Sequence, residues 1–232
     1  MNPLLREERD GGASRDRHEG ECRLADEDIG PYKADGHGES GSEGNGNGKG
    51  CWYMKLAKDH IKVRELMAED FPVMLKWLTD ERVLEFYGGR DLRYTPESLR
   101  QHYEKPLRGD GWRVVIEYKG LPVGYGQIYR VGGALYEAYD DPQMNRVVYA
   151  MDQFIGEPDY WNRGIGSRYV QMVCQYLKSE KSADAVILDP HKDNPRAIRA
   201  YEKAGFEIIR ELPAHELFEG ERKDCWLMEA KL

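Results

Sequence analysis

A single carboxylate, Asp152, interrupts an apolar run that begins Val147-Val148-Tyr149-Ala150-Met151, and a glycine-punctuated turn follows at Arg163-Gly164-Ile165-Gly166-Ser167-Arg168. Each feature has a distinct chemistry. A carboxylate in an apolar strand is placed to take a proton from a bound partner. Two glycines where a helix begins leave bare backbone, and the unpaired N–H groups of a helix N-terminus favour an anion, a phosphate above all. Arg163 and Arg168 add charge-assisted donors to the same place. Together these features outline a site for two substrates, one of them phosphate-bearing. Taken alone, the Gly-x-Gly reads equally well as a tight strand-to-helix turn.

Other phosphate motifs fit poorly. A dinucleotide fingerprint needs a third glycine where Tyr169 stands, directly after a strand, and no G-x-x-x-x-G-K-S/T run occurs. Cys22, Cys51, Cys174 and Cys225 are far apart, with no C-x-x-C and no His/Cys ligand spacing, so neither a disulfide framework nor a metal site is expected. Cys174 falls beside buried helix positions and reads as a packed thiol. Direct transfer in a ternary complex then follows, rather than an acyl-cysteine intermediate.

The elements that must position these residues are readable from period and punctuation. Ile165, Tyr169, Met172, Val173, Tyr176 and Leu177 make one apolar helix face, which would pin the turn against a sheet. Upstream, Ile61–Leu66 alternates as a strand, and Asp70 looks like the cap of a helix carrying Phe71, Met74, Leu75 and Leu78. Residues 83–89 form a short helix or turn. Thr95-Pro96 starts a further helix with Leu99 and Tyr103 inside. Strands at Trp112–Tyr118 and Pro122–Val131 are joined at Lys119-Gly120. Downstream come a strand at Ala185–Leu188, a helix from Pro195 to Ala204 capped by Asn194 and ended by Gly205, and strands at Phe206–Arg210 and Cys225–Ala230. The order β α α β β β α β α β β predicts an α/β (α+β) fold with a mixed sheet and helices on both sides.

The composition is uneven along the chain. Residues 1–50 hold 12 acidic against 7 basic side chains, a net of −5 out of −8, and 11 of the 25 glycines. Such a segment cannot bury enough apolar surface to offset its ordering entropy. Residues 1–53 are therefore expected to be a disordered, acidic, glycine-rich leader or upstream extension, with one folded domain over 54–232. No basic stripe suggests nucleic acid, and no apolar run approaches a membrane span. The expectation is a cytoplasmic protein, monomer or homodimer.

Beyond these readings, WNRGIG before a helix, followed by ILDPHKDNPRAIRAYEKAGF, resembles the two core motifs of the GCN5-related N-acetyltransferases (GNAT). The first motif departs at Trp161, where that superfamily has Gln or Arg, while Gly164 and Gly166 match. In the second, Asn194, Ala197, Tyr201, Lys203, Gly205 and Phe206 all match. Within the superfamily, the segments FPVMLKWLTDERVLEFYGGRD, GYGQIYR and YAMDQFIGEPDYWNRGIG are similar to the aminoglycoside 6′-N-acetyltransferases. They also resemble the acetyltransferase half of the bifunctional acetyltransferase–phosphotransferase resistance enzyme, over about residues 58–232.

The resemblance implies a GNAT fold, a mostly antiparallel sheet with a splayed parallel pair. It also implies acetyl-CoA as co-substrate, without a metal, and an aminoglycoside antibiotic as acceptor. By the same likeness Asp152 is the base and Tyr201 the acid that protonates the leaving thiolate. The co-substrate contacts are then Phe154, Ile155, Arg163, Gly164, Ile165, Gly166, Ser167, Arg168, Asn194, Ala197 and Tyr201. Acceptor contacts are assigned to Tyr149, Asp152, Asp189, Asp141, Glu85 and Phe86, with Trp77 and Tyr87 as further aromatic walls. Two alternatives stay open: an acetyltransferase for another amine, such as a polyamine or a protein, and a non-catalytic acyl-CoA or drug-binding module.

Overall fold

Two left-handed residues, Asp59 and His60 (φ +48° and +66°), turn the chain between its first strands, β1 (Leu56–Lys58) and β2 (Ile61–Glu65). The computed structural model describes residues 54–105, 107, 111–132 and 146–232; the expected leader at 1–53 lies outside them. β1 is absent from the sequence reading. Its three residues are too few to show alternation, and a two-residue turn of positive φ usually advertises itself with Asn-Gly rather than Asp-His.

Three short helices follow: α1 (Phe71–Trp77), α2 (Glu81–Leu84) and α3 (Pro96–Tyr103). The Thr95 hydroxyl accepts from the Ser98 N–H at 3.2 Å, as expected of a cap. Asp70 behaves differently. It occupies the cap position of α1 without capping it, because its carboxylate is taken by the Arg64 guanidinium at 2.7 Å on each oxygen and by the Met67 N–H at 2.9 Å. An ion pair between partly buried groups outcompetes a neutral cap bond.

β3 (Gly111–Tyr118) and β4 (Leu121–Arg130) make a hairpin through Lys119 and Gly120, both with positive φ. Next come β5 (Val148–Ile155), α4 (Ile165–Lys181), β6 (Ala185–Leu188), α5 (Pro195–Glu202), β7 (Glu207–Phe218) and β8 (Glu221–Lys231). The last two strands run well past their expected ends. Pro213 and the left-handed Ala214 (φ +51°) sit in an irregularity between Leu212 and Glu216, and that interruption makes the sequence read as a loop.

Among the described residues these strands form one sheet in the order β1-β2-β3-β4-β5-β6-β8-β7. Its pairs are antiparallel except β5 with β6. The fold is thus the expected mixed, mostly antiparallel α/β arrangement. α4 lies on one face over Tyr149, Met151 and Val186, burying Ile165, Tyr169, Val173 and Leu177. Tyr169 rests directly on Gly126, where any Cβ would collide with its ring. α1–α3 cover the other face with Met74, Trp77 and Leu99 against Tyr125 and Phe154.

The parallel pair positions the site. Its register is Val148↔Ala185, Tyr149↔Val186 and Ala150↔Ile187, and it stops there although β5 continues to Ile155. β5 meanwhile keeps its pairing to β4 as far as Gly124↔Ile155. Past Ala150 the two parallel strands splay, leaving a strand edge exposed to whatever enters the gap.

Candidate active site

A cavity of 630 Å³ fills this gap. All of Met151–Ile155 line it, although alternate residues of a strand face opposite ways. That is possible because the cavity wraps the free edge of β5. The facing wall is made by Leu188 at the end of β6, by Asp189, Pro190 and His191 beyond it, and by Asn194, Ala197 and Tyr201 of the α5 region. The floor is the turn Gly164–Arg168.

That turn has the form an anion site needs. Gly164 is left-handed (φ +71°), which lets the chain swing from the loop into α4, and no side chain caps the helix. A Cβ on Gly164 or Gly166 would meet nothing within 4 Å, so both glycines border open space. Arg168 folds back onto the turn, its Nε donating to the Gly164 carbonyl at 3.2 Å and its terminal nitrogen to the Arg163 carbonyl at 3.0 Å. Arg163 itself lies over the Tyr160 ring at 5.0 Å and does not line the cavity, a correction to its expected place in the cradle. Stacking on an aromatic face holds the guanidinium aside.

Asp152 and Tyr201 both line the cavity, as do Phe154, Ile155, Asp189 and Phe86. Gln127, buried and directly opposite Asp152 on β4, donates to its Oδ2 at 2.9 Å, and the Tyr125 hydroxyl donates to the Gln127 carbonyl oxygen at 3.1 Å. The Gln153 amide donates to the Tyr201 hydroxyl oxygen at 2.6 Å. Burial pushes the Tyr201 hydroxyl well above the ordinary phenol value, and the charges of Asp152 and Asp189 add to it. Asn194 caps α5, its Oδ1 accepting from the Ala197 N–H at 3.1 Å. Cys174 is buried and its thiol is pushed up to about 12.

Three acceptor-side expectations are displaced. Tyr149 is 2% exposed and packs with Trp112 under α4, because it stands three residues from Asp152 and so on the opposite face of β5. Trp77 is wholly buried, its indole N–H donating to Glu157 at 2.9 Å. Glu85 is exposed and outside the lining, while its neighbours Phe86 and Tyr87 are part of it. Asp141 lies outside the described residues.

Several lining residues escaped the sequence reading. The Arg196 guanidinium stacks 4.1 Å from the Trp161 ring and 4.3 Å from the Phe86 ring, and all three line the cavity. Trp161, the departure from the motif, donates its indole N–H to the Ile155 carbonyl at 2.6 Å and thereby ties the turn to the end of β5. His191 and Glu216 also line the cavity, 2.6 Å apart, and His215 pairs with Asp189 at 2.9 Å. A pair of glutamines beside a strand acid, in the segment GQIYR and in DQF, was the available signal for Gln127 and Gln153.

The cavity thus brings together a helix N-terminus without a side-chain cap, an open strand edge, a carboxylate and a protonated hydroxyl. The acetyltransferase (GNAT) domain profile matches residues 66–213. The aminoglycoside N(6′)-acetyltransferase type 1 of Klebsiella pneumoniae is 28% identical over 158 residues, 65% of this chain and 76% of that protein. The spermine/spermidine N(1)-acetyltransferase of Bacillus subtilis is 28% identical over 121 residues, 52% and 68% of the two chains. Among solved structures, AAC(6′)-Ib in complex with ribostamycin and coenzyme A superposes with a TM-score of 0.61 at 24% identity, covering 75% of this chain and 94% of that one. At such identity the superposition speaks for the fold. The profile match spans well over half the chain, and with it the chain belongs to the GNAT family of acetyltransferases.

Proposed function

We propose that the chain transfers the acetyl group of acetyl-CoA to the 6′-amine of an aminoglycoside, giving resistance to the antibiotic. The observation that carries this reading is the meeting of Asp152 and Tyr201 at one cavity above the Gly164–Gly166 turn. In this reading the N–H groups at the start of α4 and the Arg168 side chain hold the pyrophosphate of acetyl-CoA, and the open Cβ positions of Gly164 and Gly166 admit it close to the backbone. The free edge of β5 takes the pantetheine arm as an added strand would be taken.

The amine arrives protonated and cannot attack a thioester until it loses a proton. Asp152 accepts that proton, directly or through one water, while Gln127 fixes one of its oxygens. A main-chain N–H on the β5 edge polarises the thioester oxygen. Tyr201 then delivers its proton to the departing sulfur. Its raised pKa keeps the hydroxyl protonated through neutral pH, as an acid requires. Asp189 and Phe86 receive the rest of the acceptor, the first by charge and the second as a ring wall.

A second reading, a polyamine acceptor, is favoured by the spermine/spermidine relative. Thiol release from acetyl-CoA measured with an aminoglycoside and with spermidine separates the two. A kcat/KM at least about tenfold higher for the aminoglycoside, worth about 1.4 kcal/mol of transition-state binding, supports the first reading; the reverse ratio supports the second.

A further inference from the structure

On the acceptor side of the cavity stands a group of side chains that the acetyl transfer does not use. A ring nitrogen of His191, a Glu216 carboxylate oxygen and Cys225 Sγ all lie within 4.8 Å of one another. They come from three neighbouring lengths of backbone. His191 is bridged to Cys225 of β8, flanked by hydrogen bonds from the Trp226 N–H to the Pro190 carbonyl and from the Lys192 N–H to the Asp224 carbonyl, both 3.0 Å. Glu216 of β7 pairs with Lys223 of β8, so that it shares a sheet face with Cys225 two residues on. A hydrogen-bonded sheet holds all three Cα positions, and preorganised ligand positions distinguish a site from a chance cluster.

We propose that His191, Glu216 and Cys225 form a binding site for a divalent transition-metal ion of the zinc type. The donor set is one imidazole, one carboxylate and one thiolate, three ligand types that zinc takes together with water. Bond lengths of about 2.0–2.3 Å set such donors about 3.3–3.7 Å apart, so binding opens the 2.6 Å contact between His191 and Glu216 and draws the thiol inward. Binding replaces the Cys225 S–H bond by a sulfur–metal bond and displaces the proton shared between His191 and Glu216, and both protons pass to water.

The surroundings favour a cation and provide a way in. Asp189, Asp193 and Asp224 place negative charge around the Cys225 thiol in addition to Glu216. Lys223, whose charge acts on His191, is drawn off by Asp193 at 3.0 Å. His191 and Glu216 line the cavity and Cys225 lies behind them, fully buried. The ion thus enters from the cavity, and its fourth position faces the cavity water. With the metal bound, β7, β8 and the segment after β6 are tied together behind Asp189, stiffening one wall of the acceptor site.

The test is a cobalt(II) titration of the full-length chain carrying serine at Cys22 and Cys51, since cobalt in a thiolate site shows a sulfur-to-metal charge-transfer band. One equivalent producing that band is expected, with the band retained in Cys174→Ser and lost in Cys225→Ser. Glu216→Gln and His191→Gln should weaken cobalt by about tenfold or more, and zinc should raise Tm in the parent protein but not in these variants. No band at one equivalent, or a band that persists unchanged in Cys225→Ser, overturns the proposal. If Cys225→Ser does not fold, unchanged cobalt affinity in Glu216→Gln and His191→Gln overturns it equally.

Discussion

The side-chain amide of Gln153 donates to the hydroxyl oxygen of Tyr201 at 2.6 Å, joining the free part of β5 to α5 across the splay. Because the Tyr201 oxygen accepts this bond, its own proton is available to another acceptor. Tyr201→Phe removes that proton and leaves the ring packed against Phe206. The expected result is a kcat lower by about 10²-fold with little change in the KM of either substrate, measured by steady-state thiol release. A larger effect on KM than on kcat would make Tyr201 a binding residue instead.

Asp152→Asn keeps the side-chain volume and a partner for Gln127 but cannot take a proton. Its kcat is expected to fall by about 10²-fold or more at neutral pH. Turnover close to that of the parent protein would remove Asp152 from the role of base.

The two cradle glycines differ in a way that separates binding from stability. Gly166 is helical, so Gly166→Ala is expected to hold or raise stability by up to about 1 kcal/mol. Its new methyl group projects into the open space where the proposed reaction places the co-substrate, and the Kd for coenzyme A should rise about tenfold. Gly164 is left-handed, and Gly164→Ala should cost about 1–2 kcal/mol of stability in addition. Calorimetric titration and thermal melts check both.

Asp70 offers a stability prediction with a defined pH window. Burial alone would raise its pKa, but the two Arg64 hydrogen bonds and the Met67 N–H outweigh burial and hold it below the ordinary 3.8. A depressed carboxyl contributes stability above its unfolded value and loses it as pH falls through the folded one. Asp70→Asn should therefore cost about 2 kcal/mol at neutral pH, and the gap to the parent should close as pH falls below 3.8. Urea melts across pH 2.5–7 measure this.

The legible parts of the chain are those where local chemistry decides. α4 and α5 could be read because Gly164, Asn194 and Gly205 punctuate them and their apolar residues recur at helical spacing. Tyr149 shows where reading went wrong although the signal was present. An odd offset from Asp152 puts it on the other face of the strand, under α4. Arg196, His191 and Glu216 were not legible. Arg196 meets Trp161 from a distant segment, and the approach of His191 and Glu216 to Cys225 depends on the β6 extension meeting β8 and on the β7 irregularity.

The proposed reaction turns on one nitrogen, the 6′-amine of the acceptor. Two aminoglycosides identical except for a 6′-amine or a 6′-hydroxyl, each incubated with the protein and acetyl-CoA, test it by thiol release. Release with the amine and none above background with the hydroxyl is the predicted result. Equal release with both, or none with either, would contradict it.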